Sequence, residues 1–325
     1  MKTSLVTIFG GSGLLGRYAV RAFANDGWRI KVGVRHPNLA HYLPPMGHVG
    51  QILVSKADVT DAEAVAAAVR GSDVVVNLVG ILYPGGGQTY NGVHIEAARS
   101  IGRAAKEAGV STLIHVSTMN ISPESESAYA RSKAIGENAL REEFPRATLI
   151  KPSLVFGPED QFFNKFAGLA RVLPFLPLVG GGHTKFQPVF AGDVADAIVK
   201  CASDPATRGN AYELGGPAVM TVKDMLTLIL RETARTRPLI PIPFWLAAIQ
   251  GFFLQFLPGK LLTVDQVKFL KTDNTVNPGA LTLADLGIQP DALEAVVPAY
   301  LWRFRPKGQF EEAVRERVTG SPGTL

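Results

Sequence analysis

Gly10-Gly-Ser-Gly-Leu-Leu-Gly16 places glycines at positions 10, 13 and 16, directly after an apolar run and at the start of a helical pattern. Glycine permits the tight turn, the close approach of backbone to a diphosphate at the positive end of a helix, and the packing of that helix on a sheet. The loop therefore predicts a dinucleotide site; the other reading is a plain strand-to-helix turn. The next strand ends Val32-Gly-Val-Arg-His36, where a site selective for a free ribose 2′-hydroxyl would carry an acid. Arg35 is instead suited to charge-assisted bonds with a 2′-phosphate, joined by Arg17 directly after the third glycine. This favours NADP(H), as NADPH, over NAD(H), against a reading in which both are solvated surface arginines. Asp58, in Ala57-Asp-Val-Thr60, falls at the end of the third strand, where it accepts from an adenine amino group or caps the helix beginning near Asp61. Tyr129-Ala-Arg-Ser-Lys133 sets a phenol and an ammonium four residues apart on one helix face, a pairing that any helix can offer.

These groups need elements to hold them, and the first 150 residues supply an alternation of short β-branched runs with longer helical patterns. Leu5 to Phe9, Ile30 to Arg35, Gln51 to Val54, Asp73 to Leu78, Thr112 to Ser117 and Ala147 to Lys151 read as buried parallel strands. Leu14 to Asn25, Ala62 to Val69, Val93 to Ala108, Tyr129 to Glu143 and Val194 to Ala202 read as helices. The pattern predicts an α/β fold, a Rossmann-like doubly wound parallel sheet with a smaller, irregular C-terminal lobe. Residues 1–155 would form the nucleotide-binding domain, with 190–215 returning to it, and 156–325, richer in Pro and Gly, the second lobe.

Composition narrows the class. The 325 residues carry 33 Lys+Arg against 28 Asp+Glu, a net charge of +5, with 46% hydrophobic and 19% charged residues, so a large core is affordable and wholesale disorder is excluded. A single cysteine, Cys201, rules out an internal disulfide or multi-Cys metal site and favours a reducing compartment. His36, His41 and His48 have no metal-ligand spacing, and no metal is expected. Basic residues are interspersed with acids and no Lys/Arg block occurs, so no nucleic-acid partner is expected. With an apolar strand already at Leu5, no signal peptide is expected.

Four features together resemble the short-chain dehydrogenase/reductases of the extended or atypical kind. They are the glycine triplet, Asn77-Leu-Val-Gly80 after the fourth strand, Tyr129-Ala-Arg-Ser-Lys133 after the fifth, and Lys151-Pro-Ser-Leu-Val-Phe-Gly-Pro158 after the sixth. The resemblance implies Tyr129 as general acid/base, Lys133 lowering its pKa and holding the nicotinamide ribose, and a strand-end hydroxyl, Ser117, orienting a substrate. Met119 stands where many extended members place the catalytic Ser or Thr, which argues against efficient turnover; Tyr129 and Lys133 would then simply hold the nucleotide. Nucleotide contacts are expected from Gly10, Gly11, Ser12, Gly13, Leu14, Leu15, Gly16, Arg17, Arg35, Asp58, Val59, Val79, Gly80, Ser117, Tyr129, Lys133 and Pro152. Residues 151–164, 261–274 and 300–310 further resemble the nucleotide-binding accessory subunits of respiratory complex I and their bacterial relatives. That resemblance implies a structural NADPH, other complex I subunits as partners, and a peripheral place on the inner membrane, on its cytoplasmic or matrix face, near where quinone enters. The competing expectation is an active NADPH-dependent reductase, epimerase or quinone-pathway enzyme.

Phe244 to Leu257 is fourteen nearly uninterrupted apolar residues, about 21 Å as a helix and too short for a hydrocarbon core of about 30 Å. Burial in its own lobe, a membrane interface or a partner subunit would each satisfy it. Residues 231 to 271 carry six basic residues against two acidic ones, so much of the basic excess flanks this stretch. Tyr300-Leu-Trp-Arg-Phe-Arg305 alternates aromatics with arginines, suited to a half-wet surface or an edge strand, and the residues from Val318 read as a frayed tail.

Overall fold

The computed structural model describes residues 4–256 and 262–308. The expected Leu257, Lys260 and the tail from Val318 lie outside the described residues. In chain order the first half runs β1 (Leu5–Phe9), α1 (Leu14–Asn25), β2 (Arg29–Val34), β3 (Ile52–Lys56), α2 (Ala62–Val69), β4 (Val74–Asn77), α3 (Ala97–Glu107), β5 (Thr112–Val116), α4 (Ala128–Glu143) and β6 (Thr148–Pro152). There follow β7 (Val155–Phe156), α5 (Phe162–Val172), β8 (Leu176–Val179), β9 (Lys185–Phe186), β10 (Val189–Phe190), α6 (Ala191–Ser203), β11 (Ala211–Leu214), β12 (Met220–Thr221), α7 (Val222–Glu232), β13 (Leu239–Ile242), α8 (Phe244–Leu254) and α9 (Val264–Phe269).

Seven parallel strands form one sheet in the order β3-β2-β1-β4-β5-β6-β11. The strand order reverses between β1 and β4, so the crevice for a ligand opens at their carboxyl ends, beyond Phe9 and Asn77. Every residue of β4 and β5 is buried because helices cover both faces. One apolar cluster packs α1 and α6 on one face, around Val20, Phe23, Val194 and Ile198; another packs α2 and α3 on the other, around Val65, Val69, Ala98 and Ile101. Residues 191–214 return as α6 and β11, completing the sheet edge. A third cluster, around Phe156, Phe163, Met225, Ile229 and Leu301, lies among the later elements, with short strand pairs β7–β10, β9–β12 and β8–β13.

Two expected elements differ. The helix that the sequence begins at Val93 opens as a wide turn, Asn91–Glu96, in which the Ala97 N–H bonds to Gly92 five residues back, before α3 proper. Such widened turns bring a side chain out of the regular helical register, and here that side chain is His94. Residues 300–305 are not an edge strand: Pro298 starts a helical turn (Pro298–Leu301) that tightens over Trp302–Phe304, and the buried Tyr300 hydroxyl donates to Asp160 at 2.7 Å.

Helix α4 lies against the wide turn through Gly136. A methyl group there would sit 2.0 Å from the His94 carbonyl oxygen, backbone against backbone. Gly136→Ala should therefore destabilise the protein by about 2–3 kcal/mol through forced separation of these elements. A shift of the denaturant midpoint at unchanged slope would register it; an unmoved midpoint would contradict the packing described.

Candidate functional site

The glycine loop connects β1 to α1 at the crevice. Gly10 holds φ of +80°, and a methyl group on Gly16 would lie 2.3 Å from the Gly10 carbonyl oxygen, so neither position tolerates a side chain without the loop moving. The Gly13 N–H bonds to the Gly10 carbonyl at 3.0 Å, closing the turn. No side chain caps α1 and no acid occupies its first turn, which leaves the N-terminal amides and the positive helix end facing the crevice. Ser12, Gly13 and Leu14 form this opening, while Gly11 and Gly16 are buried and Leu15 packs on the sheet core.

Arg17 is not a solvated arginine. Its guanidinium lies 5.0 Å over the Tyr42 ring and pairs with Glu159 at 3.0 Å, and the Tyr42 hydroxyl donates to the Ser12 carbonyl at 2.7 Å. Arg35, beyond β2, is exposed. Asp58 is half-buried beside it. Burial would raise the Asp58 pKa, but the N–H and hydroxyl of Thr60, with Arg35 and His36 nearby, outweigh burial and hold the carboxyl below its ordinary range. Asp58 does not cap α2; Asp61 does, accepting from Glu63 and Ala64, so that expectation falls to the residue at the true Ncap position. Val59 is buried behind the loop.

On the other side of the crevice, the Asn77 side-chain Oδ1 accepts from the Val79 N–H at 3.1 Å and shapes the exit of β4. The same amide's NH2 donates to the buried His115 Nδ1 at 3.0 Å. Burial, then the Lys133 charge, hold His115 well below its ordinary pKa. Gly80 is exposed, facing the His94 and Lys133 side-chain tips at 3.8 and 4.0 Å from where its Cβ would be. Ser117 lies just past β5, with a buried hydroxyl oxygen that has no partner among the described residues. Pro152 ends β6, its carbonyl accepting from Met119 N–H at 3.4 Å and the Thr118 hydroxyl at 3.3 Å.

Tyr129 and Lys133 stand on the first turns of α4. Lys133 is buried and its Nζ donates to the Val116 carbonyl at 2.9 Å; burial lowers its pKa to about 8, opposed by Glu137. Tyr129 is half-buried, with the rings of Tyr90, His94 and Phe269 against it at centroid distances of 6.3, 5.7 and 5.6 Å. Burial raises the Tyr129 phenol to about 12, so the expected lowering by Lys133 is not present: a desolvated ammonium bonded to a carbonyl does not offset desolvation of the phenolate. A phenol at that value stays protonated near neutrality and is a poor proton donor.

His94 and Ser132 escaped the sequence reading, since nothing local marks them. The Ile81 N–H donates to His94 Nε2 at 3.0 Å, so Nδ1 carries the proton and donates to the Ser132 hydroxyl at 2.8 Å, which donates to the Tyr129 carbonyl at 2.8 Å. A neutral imidazole thus ties β4, the wide turn and α4 together. Glu159, Asp265 and Phe269 were missed as well, because each lies far along the chain from the group it touches.

The donor set fits a dinucleotide. Uncapped helix amides beside a loop with no room for side chains suit a diphosphate, and the unpartnered Ser117 hydroxyl and the Lys133 ammonium are polar groups at the strand ends across the crevice. When bound, a nicotinamide nucleotide supplies hydride chemistry; the chain's own groups bind and orient it.

Residues 10–159 match an NAD(P)H-binding family. The chain is 35% identical over 316 residues to NADH dehydrogenase (ubiquinone) 1 alpha subcomplex subunit 9, mitochondrial, of Mus musculus, covering 96% of this chain and 83% of the relative. It is 31% identical over 306 residues to the NADH-ubiquinone oxidoreductase 40 kDa subunit, mitochondrial, of Neurospora crassa, covering 94% and 80%. In fold it is similar to an NADPH-dependent quinone oxidoreductase of Escherichia coli solved with NADPH, at a TM-score of 0.73 and 20% identity, covering 91% of this chain and 99% of that one.

Burial, reinforced by Lys133, depresses the folded-state pKa of His94 from 6.5 to about 3. The unfolded chain then binds the extra proton between these values, so the contribution is complete above pH 6.5 and is lost as pH falls toward 3. Denaturant titrations stepped from pH 7 to 4 should show a steeper loss for the wild type than for His94→Gln. Equal slopes would rule out a neutral His94 at this position.

Proposed function

The chain belongs to the family of NADH dehydrogenase (ubiquinone) 1 alpha subcomplex subunit 9, and from that membership we propose that it is an accessory subunit of respiratory complex I holding a structural NADPH with little or no turnover. The observation that carries the second half is Tyr129: three rings pack against it and its pKa is pushed up to about 12, an environment that suits retention of a nucleotide better than proton transfer. NADPH over NADH is supported by Arg35, exposed at the end of β2 where a 2′-hydroxyl site would carry an acid. Arg17, bonded to Glu159 and stacked on Tyr42, supports this less directly, as a fixed positive charge over the glycine loop.

The inner-membrane surface is the proposed seat of the second lobe, near where quinone enters the complex. Support comes from α8, which turns only Ala247 and Gly251 fully inward. Trp245, Ile249, Phe252 and Phe253, with Phe256 beyond it, form an exposed stripe at helical spacing, and their exposures run from 50% to 74%. Burial of the whole stretch in its own lobe is therefore not what the fold adopts. Of the flanking basic residues, Arg231 pairs with Glu232 and Lys271 with Glu126, while Arg237 donates to the Ala170 carbonyl and Arg235 to that of Phe304; Lys268 is exposed. Among the described residues no helix is long and apolar enough to cross a membrane.

Mild detergent extraction of native membranes tests the assignment. The chain should comigrate with the NADH:quinone-reducing complex and release NADPH on denaturation; a free protein that turns over a carbonyl substrate and loses that activity in Tyr129→Phe would sink it. Arg35→Asp should weaken NADPH binding by about tenfold or more and NADH binding little, as expected for loss of a charge-assisted bond. Equal losses would defeat the 2′-phosphate role. Phe252→Ser with Phe253→Ser should abolish cosedimentation with phosphatidylglycerol vesicles, and undiminished binding would remove the membrane contact.

A further inference from the structure

Helix α9 comes from the far end of the chain, yet it touches the site on which Tyr129 depends. The Asp265 carboxylate accepts from three donors at the start of α4: the N–H of Ala128 at 2.6 Å, the N–H of Tyr129 at 3.0 Å and the Ser127 hydroxyl at 3.0 Å. Ser127 itself takes the next two amides, Ala130 through its hydroxyl at 3.3 Å and Arg131 through its carbonyl at 2.9 Å. All four donors of the first turn are thus satisfied, two of them by a residue 136 positions or more away. A carboxylate at this end also meets the positive pole of the helix.

One turn along α9, the Phe269 ring packs T-shaped against that of Tyr129, at 5.6 Å between centroids and 87° between planes. The contact continues past the helix as a seam. Lys271 pairs with Glu126 at 3.3 Å, the Asn120 side chain donates to the Asp273 and Thr275 carbonyls at 2.9 and 3.1 Å, and Asn274 donates to the Met119 carbonyl at 3.0 Å. Residues 265–275 therefore run along the rim from the head of α4 to the loop after β5, over the side of the site away from the glycine loop. Tyr90, stacked on His94 at 5.3 Å, meets Asp265 through its hydroxyl, so the same carboxylate also contacts the wide turn.

We propose that α9 and the strand of chain following it are a built-in plug. Asp265 locks the head of α4 and Phe269 lies over Tyr129 where a second ligand would have to approach, so that the site keeps its nucleotide side and excludes a substrate. This deepens the reading of a retained, non-reacting NADPH and rests on it for its purpose, but the contacts it invokes are tested without nucleotide.

In the full chain free of nucleotide, the Ala128 and Tyr129 amides should exchange slowly with deuterium. Asp265→Ala should speed that exchange by about tenfold or more, with β5 amides unaffected. Phe269→Ala should make Tyr129 several times more reactive to tetranitromethane, read by peptide mass. Should Asp265→Ala fail to fold, Asp265→Asn, which keeps the shape and one acceptor but removes the charge, carries the same comparison at smaller amplitude. Exchange indifferent to Asp265, or a wild-type Tyr129 nitrated as readily as in Phe269→Ala, overturns the plug. NADPH retained through gel filtration is measured separately: its absence, with both plug readouts as expected, sinks the nucleotide reading and leaves the plug standing.

Discussion

The structure turns on how closely α1 approaches the loop that leaves β1. Gly16 lies so near the Gly10 carbonyl and the Gly11 backbone that not even a methyl group fits, and this contact seats the helix start directly at the carboxyl edge of the sheet. From there the rest follows in order. The helix brings uncapped amides to the crevice, its inner face packs Val20 and Phe23 on β1 and β2, and its outer turn carries Arg17 to Tyr42 and Glu159. A larger residue at the contact would push α1 off the sheet and dissolve the anion cradle with the packing, so fold and nucleotide site share one steric requirement.

Across the crevice the organising force is different: desolvation of polar groups that must then find partners. Asn77, His94, His115, Ser132 and Lys133 are all buried, and each is satisfied by a specific neighbour, with Asn77 bridging β4 to His115 and Lys133 reaching the Val116 carbonyl. In such surroundings charge is costly, which is why both imidazoles are held neutral and the Lys133 pKa falls. The same desolvation lifts Tyr129. A motif that suggests catalysis is therefore placed where the interior disfavours the phenolate, and the polar network serves to hold strand ends and α4 in register.

The later elements add the remaining constraint. Their own apolar cluster, around Phe163, Met225 and Ile229, carries α7 and α5, while α8 and α9 pack together around Ala247 and Val267 and α9 reaches the head of α4. Asp265 accepts from backbone N–H groups at the rim and Asn274 donates to the Met119 carbonyl there, tying the later elements to the head of α4 and the loop after β5. Among the described residues one face of α8 is left apolar and outward.

Local chemistry determined a good deal of this by sequence alone. Continuous apolar runs located the six strands from β1 to β6 within a few residues, because buried parallel strands must be apolar on both faces. The glycine triplet announced the anion-binding loop because its steric demand is local. The Tyr129–Lys133 pair and the lack of an acid after β2 were legible for the same reason. Tertiary structure alone decided what those groups meet. Asp265 reaches α4, Phe269 packs against the Tyr129 ring, Glu159 takes Arg17, and Gly136 lets the wide turn present His94 to Ser132, all across separations that no local pattern encodes. Even the helical form of Tyr300-Leu-Trp-Arg-Phe, whose alternation fits a strand, is set by Pro298 and by the buried bond from Tyr300 to Asp160. Propensity and spacing act within a few residues, whereas pKa, pairing and exposure depend on which distant side chains close around a group, and only the packed chain decides that.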